Sequence, residues 1–391
     1  MAEEILTTII PGTYIRVRAE GLIRAGGFAV GNIGIVGTAR IQAVDEAGDP
    51  QTAEDGSPIF DSSIYGRTFV LSDYASARAQ LGNYDALLNA AGAVAGQLNL
   101  VRSLQVAYQN GARTVFARAL SPTPAPSQAA YTAAFNELIK DDVNILIAPE
   151  LAPDVAAAVL NPLLVSAENN GKDMIAIVGS DVDTAALTTF LGSVPSNDTG
   201  RIILATPGIY SFDAAAGTNG EVVAMPGRYT AAAVAGLISG LAVQSSPTNK
   251  VLPGVTQLTQ RFSYGELEQL VGGHVLTLEE RRGVRVVRGV TTNMGAFSQV
   301  TTRRIVDAAK RGIRLSADPF IGKLNNQRVR KALYGAIASF LDTMVSDEAL
   351  VSYTLEVTAT RDDEIAGRAV VNAVLLPTFS IDYILVTLNL Q

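Results

Sequence analysis

Two patterns of apolar and polar positions divide this chain. From Thr68 to Gly208, short apolar runs alternate with longer stretches whose apolar residues recur every three or four positions. The runs TFVLSD (Thr68–Asp73), TVFARAL (Thr114–Leu120), VNILIAPE (Val143–Glu150), DMIAIVG (Asp173–Gly179) and RIILATPG (Arg201–Gly208) read as strands. FAVGNIGIVGTARI (Phe28–Ile41) reads as an earlier one. Helices are expected within Ala86–Gly111, stopping at Asn-Gly, and near Gln128–Ile139, Pro153–Asn169 and Asp183–Leu191. Apolar strands separated by helices make a parallel sheet covered on both faces, with right-handed connections. This part of the chain is therefore an α/β domain.

After about Ser245 the pattern changes. SPTNKVLPGV (Ser246–Val255) reads as a turn-rich linker and RRGVRVVRGVTT (Arg281–Thr292) as a basic strand region. VTTRRIVDAAKRGIR (Val300–Arg314) and NQRVRKALYGAIASFLDTMV (Asn326–Val345) are amphipathic helices, the second with Asn325 or Asn326 as its cap. Val329, Leu333, Ile337 and Phe340 share its apolar face. Two strands, Val351–Thr360 and Arg368–Leu376, follow, joined as a hairpin by RDDEIAG. The chain then ends on FSIDYILVTLNLQ, an apolar strand with nothing after it. In it Phe379, Ile381, Tyr383 and Leu385 alternate with Ser380, Asp382, Ile384 and Val386, and both faces are apolar past Ile384. At the other end, IIPGTYIRVR (Ile9–Arg18) is a Pro-Gly turn followed by an extended run.

Composition removes most chemistry. The chain of 391 residues has no Cys and one His, so thiol catalysis, disulfides and His- or Cys-rich metal sites are excluded. A Ser-His-Asp hydrolase, the rival reading from another class, would have to use His274, which lies in VGGHVLTLEE with no nucleophile motif beside it. GNIGIVG (Gly31, Gly34, Gly37) has the wrong spacing for a dinucleotide loop, and no Gly-Lys-Ser/Thr phosphate loop occurs; these glycines read as close-packing positions. Gly236 and Gly240, in the apolar helix Tyr229–Val243, read the same way. Glu279 and Glu280 sit beside Arg281 and Arg282 as a solvated ion-pair cluster. The acidic loop Asp45–Pro58 does not match a calcium-binding loop. No cofactor is expected. The acidic N-terminus lacks the pattern of a secretory signal and no segment suits a bilayer, so the expected start is in a cytoplasm.

Charge is uneven. From His274 to Phe340 there are 13 basic and 4 acidic residues, a balance of +9 against −7 for the whole chain. Arg303, Arg304, Lys310, Arg311 and Arg314 fall broadly on the polar side of one helix, and Arg328 and Lys331 on that of the next. An acidic partner surface is one reading, and an ordinary solvated face the other. No RNA- or DNA-binding motif supports nucleic acid as that partner.

The ordered set SPTNKVLPGV, RRGVRVVRGVTT, TTRRIVDAAKRGIR, DPFIGKLNNQRVRKALYGAIASFLDTMVSDEAL and the terminal hairpin and strand, over Ser246–Gln391, resembles the contractile tail sheath proteins of phages and phage-like injection systems. PGTYIRV and AVGNIGIVGTA match the family's entry pattern more loosely. The resemblance implies a mixed α/β and α+β protein without enzymatic activity. An outer, subtilisin-like α/β domain (23–250) would decorate an inner α+β domain (251–378), flanked by an N-terminal arm (1–22) and a C-terminal strand arm (379–391). It implies hexameric rings stacked helically around an inner tube, with baseplate and terminator proteins as further partners and no direct contact with nucleic acid or membrane. The arms would lend strands to neighbouring copies through Phe379, Ile381, Tyr383, Leu385, Val386 and Leu388 at one end and Ile15 and Val17 at the other. Candidates to face the tube are Arg303, Lys310, Arg311, Arg314, Lys323, Arg328 and Lys331.

Overall fold

The computed structural model describes residues 30–54, 56, 59–84, 100–195 and 198–389. Ile15 and Val17 lie outside them. The described chain forms two compact units, one of residues 30–311 with 377–389 and one of residues 312–376.

The larger unit is built on an eight-stranded sheet. Its first strands are β1 (Ile33–Thr38), β2 (Thr68–Leu71), β3 (Val115–Leu120), β4 (Ile145–Ile147), β5 (Ile175–Gly179) and β6 (Ile202–Thr206). Next come β7 (Ile209–Asp213), β8 (Glu221–Met225) and β9 (Val255–Leu258), which form a separate three-stranded sheet in the order β8-β7-β9. β10 (Leu276–Glu280) and β11 (Val284–Val286) return to the large sheet, whose order is β11-β10-β6-β5-β4-β1-β3-β2. Its six central strands run parallel, while β2 and β11 pair antiparallel at the two edges.

The helices are α1 (Tyr74–Leu81), α2 (Leu100–Gln109), α3 (Gln128–Leu138), α4 (Pro153–Asn169), α5 (Leu187–Gly192), α6 (Arg228–Gly240), α7 (Tyr264–Gly272) and α8 (Val300–Ala317). Strand alternation sends Ile33, Ile35, Ile145, Ile147, Ile175 and Ile177 into one core, with Leu104 of α2 and Val234 of α6. Val36, Leu146, Ala176, Val178 and Leu204 enter the other, with Phe135 of α3 and Leu160 of α4. Both faces are thus covered, which is why these strands read as continuous apolar runs. Small residues set the closest approaches. A Cβ on Gly236 would overlap the carbonyl oxygen of Ala107, and one on Gly31 that of Ser239.

Two stretches differ from their sequence reading. β10 and β11, from the segment expected in the inner domain, complete the sheet of the α/β unit. Ser246–Val255 is not a loose linker. Leu252 is buried, and the amides of Asn249 and Leu252 donate to the carbonyls of Val286 and Val284 at 2.8 and 2.9 Å. Backbone pairing along β11 therefore holds it down.

In the smaller unit the long helix α9 (Gln327–Ser346) is capped by Asn326, whose side chain accepts from the Val329 amide at 3.0 Å. It buries Leu333, Ala336, Ile337, Leu341 and Met344 and packs against β12 (Leu350–Thr358). The hydroxyl of Tyr353 donates to Asp342 at 2.7 Å. RDDEIAG is a short helix, α10 (Arg361–Ile365), rather than a tight turn, because Thr360 and Asp363 form a capping box. β13 (Val370–Pro377) then pairs with β12 in a two-stranded sheet.

Candidate assembly surfaces

The terminal segment is the most apolar exposed stretch among the described residues. Phe379, Ile381, Tyr383, Ile384, Val386 and Leu388 are exposed, and Leu385 is 96% exposed. The sequence pattern predicts a strand from Phe379. In the single chain, residues 378–389 carry no strand pairing. A strand needs a partner edge, and none is supplied here. Polar positions at the root of the segment are held in place instead. The Asp382 carboxylate accepts from Arg288 Nε at 2.8 Å and from Gln299 Nε2 at 3.1 Å, and Ser380 Oγ lies 3.3 Å from Thr301 Oγ1.

The smaller unit has open sheet edges of its own. β12 and β13 pair only with each other among the described residues, so each has an open edge. Val351, Val374 and Leu376 stand exposed on this sheet.

Helix α8 is amphipathic as expected, but part of its basic side is buried. Arg303, expected on the solvent side, has a side chain only 4% exposed. Its guanidinium pairs with Asp307 at 2.5 Å, donates to the Thr199 carbonyl at 3.2 Å and stacks 4.2 Å from the Phe297 ring centroid. Arg304 is also buried, donating to the carbonyls of Leu241, Ala242 and Val30. Leu241 caps the C-terminus of α6, where the helix dipole favours a cation. Burial brings this guanidinium down to about 10. Lys310 pairs with Glu168 at 2.8 Å and Asp173 at 2.5 Å, and Arg311 with Asp142 at 2.8 Å. Arg314 is half-buried. Of the candidates to face a tube, Lys323, Arg328 and Lys331 are exposed.

Arg303 and Lys310 belong to a buried ionic cluster that amphipathicity did not reveal. At its centre is Arg201, fully buried on β6's approach, held by Glu168 at 2.8 Å, Asp173 at 2.9 Å and Asp307 at 3.0 Å. Hydrogen bonds from Arg201, outweighing burial, bring the Glu168 carboxyl down to about 2. Asp307 is more enclosed, and burial raises it despite Arg303 and Arg201 beside it. A second buried cation, Arg102 of α2, pairs with Asp213 at 3.3 Å and lies against the rings of Tyr84 and Tyr229. Glu150, a half-buried residue with an enclosed carboxylate, sits past the end of β4. It accepts from the Thr38 amide at 2.5 Å and the Tyr131 hydroxyl at 2.5 Å. Burial, only partly offset by those donors, pushes it up to about 7.

Among the described residues no Ser, Asp or Glu side chain hydrogen-bonds His274. It follows α7 in a left-handed conformation (φ 61°), and its buried Nδ1 has no hydrogen-bond partner. Among the described residues no His, Asp and Glu cluster is arranged to hold a metal, and no helix is long and apolar enough to cross a membrane. Asp45 turns its own loop, accepting from the amides of Ala47 and Asp49 at 2.9 Å each.

This fold superposes on solved contractile sheath proteins along nearly the whole chain. The contracted sheath of an extracellular contractile injection system, PVC, superposes with a TM-score of 0.70 at 15% identity, over 98% of either chain. The contracted helical sheath of the anti-feeding prophage gives 0.68 at 16%, covering 98% of this chain and 99% of that one. The sheath tail protein of Listeria innocua gives 0.63 at 12%, covering 93% and 95%. No curated protein matches in sequence. Residues 125–292 match the phage tail sheath protein central domain and residues 293–391 the phage tail sheath C-terminal domain. The chain belongs to the phage tail sheath family.

Proposed function

We infer that this chain is the structural subunit of a contractile sheath, built of hexameric rings stacked helically around an inner tube. The observation that carries the reading is the pairing of two incomplete surfaces on one chain. The apolar segment 384–389 has no strand partner, and the β12–β13 sheet has open edges with exposed Val351, Val374 and Leu376. A two-stranded sheet is marginal alone and gains from added strands. The terminal segment of one copy extends the sheet of the next, with main-chain bonds giving affinity and alternate side chains giving register.

Subunits stitched in this way can rearrange without separating. The extended sheath is metastable, and a baseplate signal releases it into a denser array. New contacts between subunits supply the free energy, a few kcal/mol in each, and no nucleotide or enzymatic step is needed. Lys323, Arg328 and Lys331 face the tube until release. Assembly takes place in the bacterial cytoplasm, and a terminator protein closes the far end. The test is deletion of Ser380–Gln391 in a chain co-produced with its tube protein. Loss of sedimenting cylinders while the monomer stays folded is expected, whereas long contractile cylinders from the deleted chain would refute the stitching.

A further inference from the structure

The root of the terminal segment and its tip are held very differently. Asp382 is enclosed, its side chain 7% exposed, with Arg288 Nε at 2.8 Å and Gln299 Nε2 at 3.1 Å on its carboxylate. The Arg288 guanidinium also covers the Tyr383 ring at 5.6 Å, and Ser380 meets Thr301. Residues 384–389 are all exposed and make no hydrogen bond, ion pair or ring contact with the described residues. The change occurs within two residues.

Asp382 and Tyr383 also line an open pocket of about 420 Å³, together with Tyr264, Leu267 and Val271 of the α7 helix and Val287. Tyr383 is therefore not close-packed on its inner side. A charge-assisted hydrogen bond fixes a point, and the space beside it leaves the chain beyond that point room to change direction.

We propose that Asp382, gripped by Arg288 and Gln299, is the pivot at which the arm leaves its own subunit. This rests on the arm-donation reading above and sharpens it. The donated strand begins at Ile384, and Phe379 and Ile381 belong to the root. From Ile384 to Gln391 an extended chain spans about 26 Å, which sets how far the next copy's sheet can lie from the pivot. During rearrangement the arm turns about a fixed carboxylate, so register in the neighbouring sheet is preserved while its direction changes. The ion pair is the device that prevents the root from peeling away as the tip is pulled.

The absence of native cysteine makes the pivot measurable. Spin labels on Ile381→Cys and Leu388→Cys of the full-length, unassembled chain report root and tip separately. The expected result is an immobile spectrum at position 381 and a mobile one at 388. Arg288→Ala and Asp382→Ala should each abolish the immobile component at 381, with Leu388 unchanged. The exchanged pair Arg288→Asp with Asp382→Arg should recover it, which a simple folding defect would not. Equal mobility at 381 and 388 in the otherwise native chain, or an immobile 381 that survives both single substitutions, would overturn the pivot. These readouts involve no second copy, so they stand or fall apart from the stitching experiment.

Discussion

The guanidinium of Arg201 and the carboxylate of Asp307 face each other as a two-pronged fork, with Nη1 3.0 Å from Oδ2 and Nη2 3.1 Å from Oδ1. Arg201 opens a sheet strand and Asp307 lies on α8, 106 positions later. The pair is how a helix of the C-terminal sequence region is locked to the α/β sheet. Without Asp307 the buried Arg303 guanidinium loses its carboxylate partner, while Arg201 keeps Glu168 and Asp173. Asp307→Ala should therefore cost about 3–5 kcal/mol. Chemical denaturation would register it as a lower midpoint with an unchanged slope. Wild-type stability in this variant would show that the fork contributes nothing.

Glu150 gives a pH dependence of defined sign. Its carboxyl ionises near 4.5 when unfolded and at about 7 in the fold. Between those values the folded state holds the extra proton, so this group's contribution falls as pH rises from about 4.5 to 7. Glu150→Gln should remove that slope. The variant should gain on the native chain between pH 5 and pH 8 by at most about 3 kcal/mol, read from urea midpoints at the two pH values. A difference that does not change with pH would contradict the assignment.

Two glycines make opposite predictions. Gly236 has the backbone of Ala107 against it, so Gly236→Ala must push α2 and α6 apart, at about 1–3 kcal/mol. Gly335 lies within α9, and nothing stands within 4 Å of the place a methyl group would take, so Gly335→Ala should stabilise by about 0.5–1 kcal/mol. Thermal melts of the two variants should move in opposite directions.

Charge reversal separates structural from surface cations. Arg328→Glu with Lys331→Glu touches exposed side chains and should leave the melt unchanged while weakening tube-templated assembly. Arg303→Glu places a second acid beside Asp307 in a buried site, and should unfold the chain whether or not a tube is present. Unaltered pelleting with the tube by the double variant would take Arg328 and Lys331 off the docking surface.

Much of the α/β unit is legible in sequence because its signals are local. Pro153 and Asn169 bound α4, and Gly111, at φ 99°, terminates the Asn-Gly turn after α2. The buried ionic cluster is not legible. Arginine in an amphipathic helix counts as solvent-facing, and only Asp307, one turn after Arg303, hints otherwise. The decisive partners, Glu168, Asp173 and Arg201, come from distant sequence. Arg102 escapes the sequence reading for the same reason, since Asp213 lies 111 positions away. RDDEIAG reads only as a hairpin link because its capping box is made by Thr360, just outside it. For the terminal segment, the alternation of residues reveals strand character, but the described residues supply no edge for it to pair with.

The central claim is that the arm completes another copy's sheet. A cryo-EM reconstruction of the assembled cylinder tests it most directly. The account predicts residues 384–389 hydrogen-bonded along an open edge of β12–β13 in an adjacent copy, with Asp382 still on its own Arg288. Density that folds this segment back onto its own molecule, or leaves both edges of that two-stranded sheet empty, would contradict it.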